Sequence, residues 1–329
     1  MICWRDSPSI WPARGQNSDR HARTARCAHS GDRAVPVGPL SRVSALAQRR
    51  IFGQYFTPAG MVRFVFDLLN PQPHETVIDP CCGQGVFLAE GVRRGVALVV
   101  GLERDRRALN LCRGALRRVC RQATLRANRA TRVRLVHQDG LREIAAPGVP
   151  PREYDLVVGN PPFNSGRYRD PHAEAACRRY ARVLPSLSNV RPSGTRTTRG
   201  TGLGNWEIEA AFLLRFLDLA RPGGRVAIVL PTGLLANWKL RALRAALTQD
   251  VTIDAVIELP PGAFRQSGTQ VRTAVLIVRR TPPQSGCVTL LAQPRHAAHL
   301  DLLRILAETT PHPASGLASG QATSPPPAS

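Results

Sequence analysis

"TVIDPCCGQGVFLAEG", Thr76 to Gly91, decides the fold. It opens with a short apolar run rich in β-branched residues, the pattern of a buried strand. The run stops at an acid, Asp79, and a proline, neither of which continues a sheet. Two glycines, Gly83 and Gly85, then make a tight turn, and an apolar helical pattern follows. Strand, glycine turn and helix in that order is the first half of a βαβ unit. In α/β folds such a turn lies at the carboxyl edge of the sheet, where the backbone can approach a ligand closely. As a dinucleotide fingerprint the turn fails, because Leu88 stands where a third glycine belongs.

Working outward, similar apolar runs recur at Ala97–Glu103, Val133–Gln138, Tyr154–Gly159, Arg225–Leu230, Thr252–Leu259 and Arg272–Val278. Several are nearly continuous in Val, Ile and Leu, which predicts strands covered on both faces in a mostly parallel sheet. Helix-length segments flank the first five. The last two are joined only by "PPGAFRQSGTQV", too short for a parallel crossover, so the final strand is expected to be antiparallel. Upstream, "GQYFTPAGMVRFVFDLLNP" predicts a helix with Thr57 as N-cap, Pro58 at its first position and its end before Pro71.

Three strand ends carry acids: Asp79 after the first, Glu103 in "VVGLERD" after the second, and Asp139 in "VHQDG" after the third. Helix capping explains any one of them. Together, at one edge of a parallel sheet, they outline a ligand with an ammonium group, ribose hydroxyls and a base. S-adenosyl-L-methionine has that chemistry.

Composition bounds the partners. The chain has 329 residues with 45 Lys and Arg against 23 acids, a net charge of +22, which fits a polyanion such as nucleic acid. Lys239 is the only lysine, so part of that charge reflects a general preference for arginine. Eleven arginines crowd 104–134 with Asp105 as the only acid, but Ala108, Cys112, Ala115 and Val119 recur at helical spacing among them. The arginines therefore read as the solvated face of a flanking helix. Eight cysteines show neither C-x-x-C pairs nor zinc-type Cys/His spacing, and the expectation is no metal. Without an apolar run long enough to span a bilayer or form a signal sequence, the expected location is the cytoplasm.

Residues 1–47, rich in Arg, Ser, Pro and Gly, read as a disordered basic segment or an upstream start that is not translated. Residues 164–204 interrupt the α/β rhythm with eight arginines against Asp170 and Glu174, and read as a basic flexible insertion beside the site. Residues 286–329 read as a short extension and disordered tail, leaving 48–285 as the catalytic domain.

The fourth run leads into "VVGNPPFNSG", Val157 to Gly166. Two prolines cannot continue a sheet or a helix, so the loop is built to hold acceptors and a ring rigidly. "GQYFTP", "DPCCGQG", "LERD", "QDG" and "NPPF", in this order over about Gln48 to Arg280, resemble the N6-adenine DNA methyltransferases, particularly the modification subunits of restriction–modification systems.

The resemblance implies a Rossmann-like S-adenosylmethionine-dependent methyltransferase fold with a seven-stranded, mostly parallel sheet and an antiparallel last strand. It implies that Thr57 contacts the methionine part of the cofactor and that Asp79, Cys82, Gly83 and Gly85 hold its amino-acid end. Glu103 would hold the ribose and Asp139 the adenine. Asn160, Pro161, Pro162 and Phe163 would form the catalytic motif, with Phe163 and Phe264 stacking on a flipped target adenine. For Phe264 core packing is the alternative. Cys81 is a mild departure from the family's usual small residue.

The implied partners are DNA, a separate specificity subunit and an associated restriction endonuclease. No target recognition domain is evident in the short stretch after the last strand, so sequence specificity is expected to come from such a subunit or from the 164–204 insertion, or to be absent through truncation of the gene. Competing readings are a methyltransferase of RNA adenine or protein glutamine, and a non-catalytic DNA-binding relic.

Overall fold

In the computed structural model, residues 57–127, 130–163, 171–189, 208–237, 240–260, 264 and 271–294 are described here. The expected disordered segment 1–47, residues 295–329 of the expected extension and tail, and residues 164–170 and 190–204 of the expected insertion lie outside them.

The helix α1, Ala59–Leu69, precedes β1, Thr76–Asp79; then come α2, Val86–Arg93, β2, Leu98–Glu103, α3, Arg106–Ala127, β3, Arg132–His137, and β4, Tyr154–Gly159. The second half runs through α4, Pro171–Tyr180, two short 3₁₀ turns, α5, Ile208–Leu219, β5, Ala220–Pro231, α6, Thr232–Ala236, and α7, Arg241–Asp250. It closes with β6, Thr252–Glu258, β7, Thr273–Arg279, and β8, Leu290–Ala292.

The strands form one sheet in the order β3-β2-β1-β4-β5-β7-β6-β8. The first five strands pair in parallel, and β7 lies antiparallel between β5 and β6. All seven expected strands are present with ends within a residue or two, except that β5 begins earlier, at Ala220. An eighth, β8, adds in parallel to β6 in the interval expected to be an extension.

Alternate residues of each central strand enter opposite cores. Ile78, Val100, Val157, Val226 and Ile228 pack with α4, α5 and α7. Val77, Val99, Leu156, Val158 and Val229 pack with α1, α2 and α3 on the other face. Such burial contributes about 1.5–3 kcal/mol per large aliphatic side chain, and it explains why the runs lack polar alternation. The basic helix α3 buries Ala108, Cys112, Leu116 and Val119 and turns Arg117, Arg118 and Arg121 outward, as its spacing predicts.

Two expectations change. Residues 171–189, within the expected flexible insertion, are helical and packed: Cys177, Tyr180 and Leu184 are fully buried. Their apolar side chains are interleaved with arginines, which hid them in a net-basic stretch. The first helix starts at Ala59 with Pro58 as its cap residue and no side-chain cap bond. Thr57 is buried and used elsewhere.

Candidate active site

The carboxyl ends of β1, β2, β3 and β4 lie along one sheet edge, and the strand order reverses between β1 and β4. Asp79 and Asn160 follow from those two adjacent strands, at the switch point where α/β sheets bind ligands.

Asp79 is 1% exposed. Its Oδ1 accepts the Cys81 N–H at 3.0 Å, and the Cys81 thiol bonds to the same carboxylate. Burial pushes its pKa up to about 7, against the pull of those hydrogen bonds and with a further lift from Glu103. A buried acid that titrates near neutrality at a strand end can take up a cationic partner.

The turn after β1 works as the sequence predicts. Gly83 and Gly85 have φ of +52° and +84°, where a Cβ is strained. Gly85 has a second constraint, since a Cβ there would meet Cys112 Sγ at 2.4 Å. Glu103 accepts from two segments: the Gly83 N–H of this turn donates to Oε2 at 2.8 Å, and the Asp105 N–H, just past β2, to Oε1 at 2.7 Å. Burial raises the Glu103 pKa and these two N–H groups oppose the rise. Cys82 is buried and packs under the turn, donating weakly to the Gly83 carbonyl. Asp139 folds into its own turn, its Oδ1 accepting the Leu141 N–H at 2.9 Å.

Asn160 Nδ2 donates to Thr57 Oγ1 at 3.0 Å. The same side chain's Oδ1 is buried and, among the described residues, has no hydrogen-bond partner. An orphaned buried acceptor costs about 1–3 kcal/mol and is tolerated where a ligand donor is to arrive. Thr57, placed by resemblance at the cofactor, thus also fixes the rotation of the Asn160 amide. Pro161 and Phe163 are buried and Pro162 is half-buried. Phe163 and Phe264 both enter the apolar cluster of α1, α2 and α3, at 6% and 3% exposure. The structure therefore gathers both rings on one side of the sheet, each packed into that core.

Cys81, read in the sequence only as a mild departure from the family's usual small residue, sits beside Asp79 and the Asn160 backbone. Its thiol touches Asp79 and the Asn160 backbone, and burial beside Asp79 and Glu103 pushes the thiol pKa well up. It lies neutral between the two strand ends, and its place between Asp79 and the glycine turn was the available signal. Among the described residues no group of His, Cys, Asp or Glu could hold a metal ion, and no helix is long and apolar enough to cross a membrane.

Strand order, antiparallel β7 and the acid-lined edge define the Rossmann-like S-adenosylmethionine-dependent methyltransferase fold. A family model for N-6 DNA methylases matches residues 42–301, and the chain belongs to that family. It is 26% identical over 240 residues to the type I restriction enzyme StySPI methylase subunit of Salmonella potsdam, covering 68% of this chain and 40% of that protein. The EcoKI methylase subunit of Escherichia coli K12 matches with the same identity and coverage. The chain thus spans about two-fifths of the length of these curated relatives. In structure it is similar to the type I restriction-modification methyltransferase subunit of Streptococcus thermophilus, with a TM-score of 0.56 at 19% identity, covering 82% of this chain and 57% of that one.

Proposed function

We propose that this chain transfers a methyl group from S-adenosyl-L-methionine to the N6 amine of adenine in DNA, within a restriction–modification system, and that residues 48–285 are its catalytic domain. The observation that carries the reading is the unpartnered, buried Asn160 Oδ1 beside Asp79 at the sheet's switch point.

The residues present fit the cofactor. Asp79 is a buried carboxyl that an ammonium group would hold ionised, Gly83 and Gly85 leave backbone room, and Glu103 and Asp139 supply carboxylates for ribose and adenine. The cofactor, when bound, supplies an electrophilic methyl group.

An adenine amine is a weak nucleophile because its lone pair is delocalised into the ring. Asn160 Oδ1 and the Pro161 carbonyl can each accept one of its N–H bonds, drawing the nitrogen toward tetrahedral geometry and freeing the lone pair. Thr57 holds the Asn160 amide in place, and the prolines stiffen the loop before any substrate arrives. That is preorganised polar stabilisation, with no general base needed to start the reaction. The amine is paired in duplex DNA, so the base must leave the stack, and Phe163 offers it a ring face.

The relatives' description as type I methylase subunits supports a partner subunit as the source of sequence specificity and an associated nuclease. The net charge of +22 supports a phosphate backbone as ligand.

The test is to incubate purified protein with methyl-labelled S-adenosylmethionine and, separately, duplex DNA, RNA and cell-extract protein. Mass spectrometry then identifies the product. Label in N6-methyladenine of DNA is expected. Label confined to RNA or to protein glutamine would replace the proposal with one of those activities.

A further inference from the structure

The loop that follows Asp139 is held by two buried side chains that no site motif contains. Three consecutive carbonyls each accept a hydrogen bond: Gly140 from Arg215 Nε at 3.1 Å, Leu141 from Tyr180 Oη at 2.8 Å, and Arg142 from Arg215 Nη2 at 2.9 Å. Arg215 is 1% exposed and Tyr180 fully buried. The guanidinium carbon lies 4.8 Å from the Tyr180 ring centroid, and Nη1 pairs with Asp218 at 2.9 Å.

From the other side the loop presses on the turn after β1. A Cβ on Gly140 would stand 1.8 Å from the Pro80 carbonyl oxygen. Between these two supports, the Asp139 carboxylate is oriented by the Leu141 N–H, and the Asp139 carbonyl accepts from Arg142 N–H at 3.0 Å. The peptide units that aim Asp139 are thus the ones whose carbonyls Tyr180 and Arg215 hold.

An arginine buried on a fully covered helix is costly, and a single carboxylate does not satisfy its remaining donors. Two carbonyls of one loop do. The planar fork suits this arrangement, since it can bond two carbonyls in a fixed relative orientation, which an ammonium cannot.

We propose that Arg215 and Tyr180 are positioning residues that set the Asp139 loop for the adenosine part of the cofactor. Because Tyr180 ends α4, the segment that follows the Asn160–Phe163 loop in the chain also supports the cofactor site. This rests on the cofactor reading given above.

The test is calorimetric titration of S-adenosylhomocysteine into the full chain and into Tyr180→Phe, with Tyr154→Phe as control. Tyr154 is an equally buried tyrosine whose hydroxyl holds a different loop carbonyl, that of Pro150 at 2.7 Å. Tyr180→Phe is expected to weaken binding about tenfold, while Tyr154→Phe stays within about twofold. In methyl transfer, Tyr180→Phe should raise KM for S-adenosylmethionine and leave kcat within about twofold. Arg215→Lys, checked for folding by circular dichroism, should weaken binding at least as much.

Equal effects from both tyrosine variants would make the Tyr180 bond merely structural and overturn the inference. So would an unchanged Tyr180→Phe affinity alongside a wild type that binds. A wild type that does not bind would overturn the cofactor reading itself, and this inference with it.

Discussion

Cofactor affinity should depend on pH through Asp79, and the structure sets the window. The folded pKa is about 7 against an ordinary 3.8. Because the folded value is raised, protonated Asp79 stabilises the unliganded protein fully below the ordinary value, and this is lost as pH rises through about 7. A rise of about 3 pKa units corresponds to about 4 kcal/mol. An arriving ammonium group reverses the preference, because it favours the carboxylate. Below about pH 7, binding must therefore release a proton, and Kd should fall about tenfold per pH unit until it flattens near neutrality.

The assay is calorimetric titration of S-adenosylhomocysteine, which keeps the ammonium group, from about pH 5.5 to about pH 7.5. A cofactor α-amine stays mostly protonated over this range. Affinity should improve about twentyfold across it, with buffer-dependent heats reporting close to one proton released at the acid end. Asp79→Asn should bind weakly with no such slope. Glu103 adds to the lift of Asp79, so Glu103→Gln should move the break to lower pH. A flat Kd with no proton release, or an unaltered slope in Asp79→Asn, would refute the reasoning.

Two further predictions follow from particular contacts. Asn160→Ala should lower the rate of methyl transfer about 100- to 1,000-fold while S-adenosylhomocysteine affinity stays within about twofold, as for loss of one preorganised polar group; loss of both together would make Asn160 structural. Gly85→Ala should destabilise the fold by about 2–4 kcal/mol, from the left-handed φ and the clash with Cys112 together. Combining it with Cys112→Ala should recover the clash but not the backbone strain, which a double-mutant cycle in denaturant would read as non-additivity.

Elements whose information is local were legible in the sequence. Seven apolar runs found seven strands, and acids ending three of them marked the carboxyl edge, because a doubly covered strand must be apolar throughout and can be polar only where it stops. Gly83 and Gly85 were legible for a similar reason, since positive φ leaves few residue choices.

What stayed hidden depends on contacts distant in sequence. Helix α4 looked like flexible chain because its buried residues are spaced among arginines. Arg215 lies in "IEAAFLLRFLDL", where a cation reads as a stray charge until the loop carbonyls of residues 140 and 142 are seen to receive it. Thr57 looked like a helix cap, the commonest use of threonine before a proline-led helix, yet its oxygen meets Asn160 103 residues away. Strand β8 is three residues long and too short to carry a pattern.

The strand order explains why the two halves of the site must meet. Placing β4 beside β1 brings Asn160 to the strand end next to Asp79, so the group proposed to hold the amine neighbours the group proposed to hold the cofactor's amino-acid end. The separation is set at Gly159. A Cβ there would come within 2.6 Å of Asp79 Oδ1 and 3.1 Å of the Phe216 ring. Any side chain at that position would drive the carboxylate away or displace the loop that begins at Asn160. Cys81 lies against the same two strand ends, its backbone N–H donating to Asp79 Oδ1 at 3.0 Å and its thiol close to the Asn160 backbone. Donor and acceptor groups therefore keep a fixed spacing in the unliganded fold, and a rigid scaffold of this kind suits a reaction whose requirement is alignment of a nucleophile with a methyl group rather than movement of a proton.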